Sequence, residues 1–289
     1  MTDINFFINT LNNREKAVIV WLLIFLFWAL SQKNIRTSML GVFKALFQKK
    51  IIIVFLAMLV YVFFIILLFS KLQIWNILLI KDTVFWVLGS AFVLLMNVNN
   101  ATQDDHHFKN ILLDNLKLIL MLEFIITLYS FNFWIEMIFV PVMFMVGAMG
   151  AVAEIKKEYS PVKKLINYVL PFIGIFLIVF AISKIIGNYQ GFVTANNLRS
   201  FVLPPLMTLA YIPFLYIFAL IMAYEILFVR LDIFLKNDKI LASFAKQKIF
   251  RLCFLNLQKL NRFAKESTRD LLNIKDRNEI LNLVEKFNK

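Results

Sequence analysis

The chain is poor in the residues from which most catalytic and metal sites are made. Its one cysteine, Cys253, excludes an internal disulfide and a thiolate zinc cluster. Histidine occurs twice, at His106 and His107, directly after Asp104 and Asp105. Consecutive side chains diverge, so four neighbours close poorly on one ion. This run reads as a polar loop capping the span after it, with metal or proton sensing as the alternative; no metal site is expected. With 7 glycines and 6 prolines the chain should be mostly plain helix. It contains no Walker loop, dinucleotide fingerprint, HExxH or nucleophile elbow. Neither enzymatic activity nor a cofactor is expected. The first apolar run starts at Ala17, and Ser31–Gln32–Lys33 beyond it offers no small-x-small cleavage site, so no signal peptide is expected. Carboxylates are scarce: 18 Asp and Glu face 31 Lys and Arg, for a formal net charge of +13.

What is abundant is apolar. Hydrophobic residues make up 61% of the chain and mean hydropathy is +0.77, values of a polytopic membrane protein. The 32 phenylalanines read as lipid contact and core packing. The expected fold is all-α: a membrane helix bundle with a C-terminal cytosolic helical domain. Three regions follow: a leader and candidate plug helix at 1–16, a bundle at 17–228 and a basic tail at 229–289. Seven spans are expected, at Ala17–Leu30, Ile51–Ser70, Thr83–Val98, Ile111–Phe131, Phe133–Ala153, Leu165–Gly187 and Phe201–Phe228. Six remain if the first lies in the surface plane. Gln32–Lys50 carries Lys33, Arg36, Lys44, Lys49 and Lys50 without an acid and reads as a basic surface helix. Pro161 should stop the helix before it. Pro204, Pro205 and Pro213 predict a kink or break in the last span, whose Glu225 lies just inside the end marked by Arg230.

Charge sets the orientation. The loops at 32–50, 99–110 and 154–164 hold ten Lys or Arg, the opposite set holds five, and the tail adds fourteen. Positive charge gathers inside, so the C-terminus is expected in the cytosol of a bacterial inner membrane protein, and with seven spans the N-terminus outside. Ionisable residues within or at the edges of spans face the bundle interior or water. Asp114, Glu123, Glu136 and Lys184 are accordingly pore-lining candidates, with packing ion pairs as the alternative. Asp114 and Lys117 can pair with each other, and Glu123 is the deepest.

The tail has helical periodicity throughout. Between Lys239 and Lys265 it carries seven Lys or Arg and no acid. On one continuous helix, Lys248, Arg251, Lys259, Arg262, Lys265 and Arg269 would share an arc of about 120°. Ile249, Cys253, Leu257, Leu260 and Phe263 would lie opposite. The last stretch, with Ile280, Val284 and Phe287 on one face, should pack as a second helix against the first or against a neighbouring subunit. The basic arc suits anionic lipid, a nucleotide or oligonucleotide, or a protein partner. Phe250, Phe254 and Phe263 are available for base stacking and read more simply as core.

The run LRSFVLPPLMTLAYIPFLYIFALIMAYEILFVRL looks like a segment of bacterial membrane proteins associated with anti-phage defence. The plan of the whole chain resembles the channel components of Hailong defence systems. That resemblance implies a homotetrameric channel closed by an N-terminal helical plug, controlled by single-stranded DNA oligomers from a partner nucleotidyltransferase. The family's plug is acidic, whereas here Asp3 and Glu15 are offset by Arg14 and Lys16. The resemblance assigns no site residue. The expected function is an oligomeric channel-type effector, gated through its basic tail by an anionic ligand and acting by depolarisation. The alternatives are a membrane scaffold whose tail docks a cytosolic protein and, with less support, a secondary transporter.

Overall fold

The computed structural model describes residues 11–102, 108, 111, 129–192, 194–235, 238–267, 270–271, 274 and 276–288. The first ten residues, Asp104–His107, Arg269, and most of the expected fourth span with Asp114, Lys117 and Glu123 lie outside these described residues. Among the described residues the chain is helical and has no strand. In order, the helices are α1 (Asn13–Ser31), α2 (Lys33–Leu46), α3 (Lys49–Lys71), α4 (Ile77–Asn99), α5 (Phe133–Ile155), α6 (Ser160–Gly187), α7 (Ala195–Phe234), α8 (Lys239–Cys253), α9 (Leu257–Glu266) and α10 (Arg277–Asn288). The five from α3 to α7 are long and apolar enough to cross a membrane, and α1 with α2 adds a sixth if that bent pair is one span. The fold is therefore an all-α bundle of a multi-pass membrane protein.

Several element boundaries differ from the sequence expectation. Pro161 opens α6 rather than closing α5, because the first turn of a helix needs no N–H from it. Pro204, Pro205 and Pro213 leave α7 helical over all 40 residues. In an apolar span, neighbouring helices and local adjustment re-satisfy the carbonyls that proline frees. A π-helical turn at Val87–Ala91 interrupts α4, which ends in a 3-10 turn at Asn97–Thr102. The basic stretch after α1 is helical as expected: α2 turns 107° away from α1 and leaves Leu40, Val42, Phe43 and Leu46 exposed.

The chain divides into two compact units, Met1–Val84 with Leu116–Pro204, and Phe85–Asn115 with Pro205–Lys289. The first is organised at the start of α1. Asn12 caps the helix reciprocally with Glu15: its side chain accepts from the Glu15 N–H at 2.8 Å, and the Glu15 carboxylate accepts from the Asn12 N–H at 2.7 Å. Arg14, Glu15 and Lys16 therefore form the first turn of α1 rather than the end of a separate leader. The Arg14 guanidinium donates to the Glu136 carboxylate at 3.1–3.2 Å, and the Phe131 N–H donates to the same carboxylate at 2.8 Å. Lys81 donates to Glu15 at 3.3 Å, and the Asn13 amide reaches the Phe131 carbonyl at 2.9 Å. Further along, the Trp21 indole N–H donates to the Met137 carbonyl at 2.8 Å. These bonds start α1 and α5 at the same level, and α1 packs along α5, which α6 follows back.

Glu136 is 0% exposed, and its carboxylate is held by Arg14. Removing one partner of a buried ion pair leaves the other charged and unpaired, at about 3–5 kcal/mol, whereas replacing both with apolar residues is often neutral. Arg14→Met should therefore lower the melting temperature of the detergent-solubilised protein far more than Arg14→Met with Glu136→Leu. Equal losses from the single and the double variant would show that the pair does not hold α1 to α5.

Candidate functional site

The second unit carries the basic tail, built from α8, α9 and α10 against the later part of α7. Each tail helix begins where a polar side chain accepts an orphan N–H: Asp238 from Leu241 at 2.8 Å, Asn256 from Lys259 at 2.9 Å, and Asp276 from Glu279 at 2.9 Å. The apolar stripe read from the sequence is the core of this domain. Ile249, Cys253, Leu257, Leu260 and Phe263 are all buried, as is Ile280 of α10. Phe263 and Phe287 meet edge-on at 5.1 Å between ring centroids, and α10 packs back against α8.

The single continuous helix assumed for the basic arc does not exist. The chain breaks after Cys253, where Phe254 adopts φ 41°, a left-handed conformation rare for a bulky residue. Two tyrosines of α7 stabilise this break. The Tyr224 hydroxyl donates to the Phe254 carbonyl at 2.8 Å, and the Tyr216 hydroxyl donates to the Leu255 carbonyl at 2.7 Å. Tyr216 also accepts from the Leu257 N–H at 3.2 Å. Backbone groups orphaned by the turn thus find partners on the neighbouring helix. The arc becomes two short rows. Lys248 and Arg251 are three apart on α8; Lys259, Arg262 and Lys265 are three apart on α9, so each row keeps to one side of its helix.

The structure gives these cations different surroundings. Arg251 and Lys265 are exposed, and Lys248 and Lys259 are half-buried. Arg262 is exposed but engaged, 3.5 Å from Glu266 and 4.8 Å from the centre of the Phe287 ring. Lys248 and Arg277 both stack on Phe244, each 5.3 Å from its ring centroid. Arg277, which the arc did not include, thus joins Lys248 around one aromatic ring. Lys246 is bound locally, 2.6 Å from Asp232. Of the aromatics considered for stacking, Phe263 is core, while Phe250 and Phe254 are exposed. Of the other candidates, Glu136 lies in the buried pair with Arg14, and Lys184 is exposed in the last turn of α6, 5.5 Å from the Phe180 ring centre. No group of three or more His, Cys, Asp or Glu suited to a metal occurs among the described residues.

No family model, curated protein or solved structure matches this chain.

Cys253 reports on the packing of the tail. Burial pushes its thiol up to about 11, against a smaller opposing pull from Lys259. The reactive thiolate is therefore scarce at neutral and mildly alkaline pH. Soluble maleimide should label Cys253 far more slowly in the native protein than in denaturant, and raising the pH within that range should not close the gap. Equally fast labelling of the native protein would contradict the packed domain.

Proposed function

We propose that this protein is an oligomeric channel-type effector of a bacterial inner membrane, with its tail in the cytosol and an anionic nucleotide or DNA oligomer as its trigger. The observation that supports this reading is the continuity of α7. One helix, Ala195–Phe234, is long and apolar enough to cross the membrane and also carries Tyr216 and Tyr224, which hold the turn of the basic tail. A ligand that orders or shifts α8 and α9 acts on the same helix that carries the membrane span. Gating then needs no catalysis: the ligand binds one arrangement of the tail better than the other and shifts the population. The phosphate-binding elements are the two rows of cations, with Lys248 and Arg277 gathered at Phe244. A role in anti-phage defence by depolarisation, a tetrameric assembly and a partner nucleotidyltransferase follow from the resemblance to the Hailong channel components.

The test is ion flux across liposomes carrying the purified protein, with and without short single-stranded DNA oligomers. The oligomer should change the flux. Arg251→Ala with Arg277→Ala should weaken oligomer binding and lower the slope of its salt dependence by about 1.4, at about 0.7 per phosphate contact on a single strand. Liposomes that stay tight in both conditions, with no oligomer bound, would reject the channel in favour of the scaffold.

A further inference from the structure

The turn between α8 and α9 is apolar on its outside. Phe250, Phe254 and Leu255 are 46%, 58% and 56% exposed. Such a cluster at the tip of an otherwise basic domain calls for an occupant, and the position of the tip identifies one. A bilayer core of about 30 Å needs about 20 helical residues, whereas α7 has 40. About half of α7 therefore lies outside the hydrocarbon.

Contacts within this unit show which half. The Trp86 indole N–H of α4 donates to the Thr208 hydroxyl at 3.0 Å, and the Trp86 ring meets Tyr211 edge-on at 5.6 Å. Beyond the polar end of α4, the Phe108 ring meets Tyr216 at 5.5 Å. The register rises along both segments, so the two run the same way. The 3-10 turn Asn97–Thr102, where α4 gives way to asparagines, packs against α9. The eleven residues from Trp86 to Asn97 advance about 16 Å at 1.5 Å per residue, so the polar edge of the span is level with α7 between Tyr216 and Tyr224, and not with Arg230. Phe201–Leu220 is about 30 Å long at 1.5 Å per residue, enough to cross the core, and it leaves Asn196, Asn197 and Arg199 outside. Tyr216 is also the residue that holds the Leu255 carbonyl.

We infer that the Phe250–Phe254–Leu255 knuckle is seated in the membrane boundary, with lipid as its partner. Aromatic rings and Leu255 enter the edge of the acyl region. Arg251 on one side and Lys259 on the other have stems long enough to place their charges among headgroup phosphates. The remainder of α7, including Glu225, extends beyond the hydrocarbon as the post on which the tail is folded. The surface shares Arg251 and Lys259 with the cationic rows, but the depth of its apolar side chains is read without any ligand and is decided separately from channel activity.

The test uses the full-length protein with Cys253→Ser, in nanodiscs of phosphatidylcholine and phosphatidylglycerol. Nitroxide labels are placed at Leu255→Cys or Phe254→Cys, and on α7 at Ile233→Cys, which is 64% exposed. The ratio of oxygen to water-soluble nickel-chelate accessibility reads the depth of each label. At 254 and 255 the ratio should be several-fold higher than at 233, which should be aqueous. A low ratio at both knuckle positions would overturn the inference. So would a high ratio at 233 as well, since the boundary would then lie beyond Arg230. Labels at 254 and 255 that neither reagent reaches would mean a protein partner covers the knuckle, and would also reject lipid. Because the two knuckle sites are labelled separately and both side chains point outward, failure of one variant to fold leaves the other to decide.

Discussion

A helix that ends leaves its last carbonyls without partners, and an apolar turn has no side chains to supply them. That constraint governs the tail domain. α8 ends at Cys253, and its continuation Phe254–Leu255 offers only hydrocarbon side chains. The hydroxyls of Tyr216 and Tyr224 supply the missing donors from α7. Past that turn, Asn256 starts α9. Phe263 then reaches the core and meets Phe287 of α10. The turn of the tail is thus tied to α7, a helix long and apolar enough to cross a membrane.

The other unit depends on a stronger bond of a different kind. Arg14 and Glu136 join the beginnings of α1 and α5, with the carboxylate wholly buried. Losing one partner of such a pair costs about 3–5 kcal/mol. A neutral hydrogen bond such as that of either tyrosine contributes about 1 kcal/mol net. The difference separates the roles of the two contacts. The ion pair fixes one helix against another, whereas the tyrosine latch is weak enough for a ligand to make or break in the gating proposed above.

Much of the architecture was legible because a membrane imposes long apolar helices, and length with hydropathy identifies them. The stripe from Ile249 to Phe263 was legible for a similar reason: helical periodicity marks a buried face even when the helix is later broken. Phe254 was not legible, since neither glycine nor proline marks the break and its φ of 41° is held by tyrosines about 30 and 40 residues away in sequence. Asn256 was the local sign, as an N-cap residue ahead of Leu257. The prolines of α7 misled because soluble-helix rules overstate what proline does inside a bundle. The partner of Glu136 lies 122 residues away, and only tertiary structure brings Arg14 to it. Arg277 joined the candidate site because α10 folds back to Phe244, a placement that no pattern within a single helix contains.

The most direct measurement is hydrogen exchange of the tail in the full-length protein, comparing the native chain with Tyr216→Phe, Tyr224→Phe and both together. Phenylalanine keeps the ring and removes only the hydroxyl. If the latch holds the tail as one cooperative unit, the double variant should speed exchange across α8 and α9 together, and by more than the two single effects combined. Faster exchange confined to residues 254–257, or none at all, would contradict the dependence of the tail on α7.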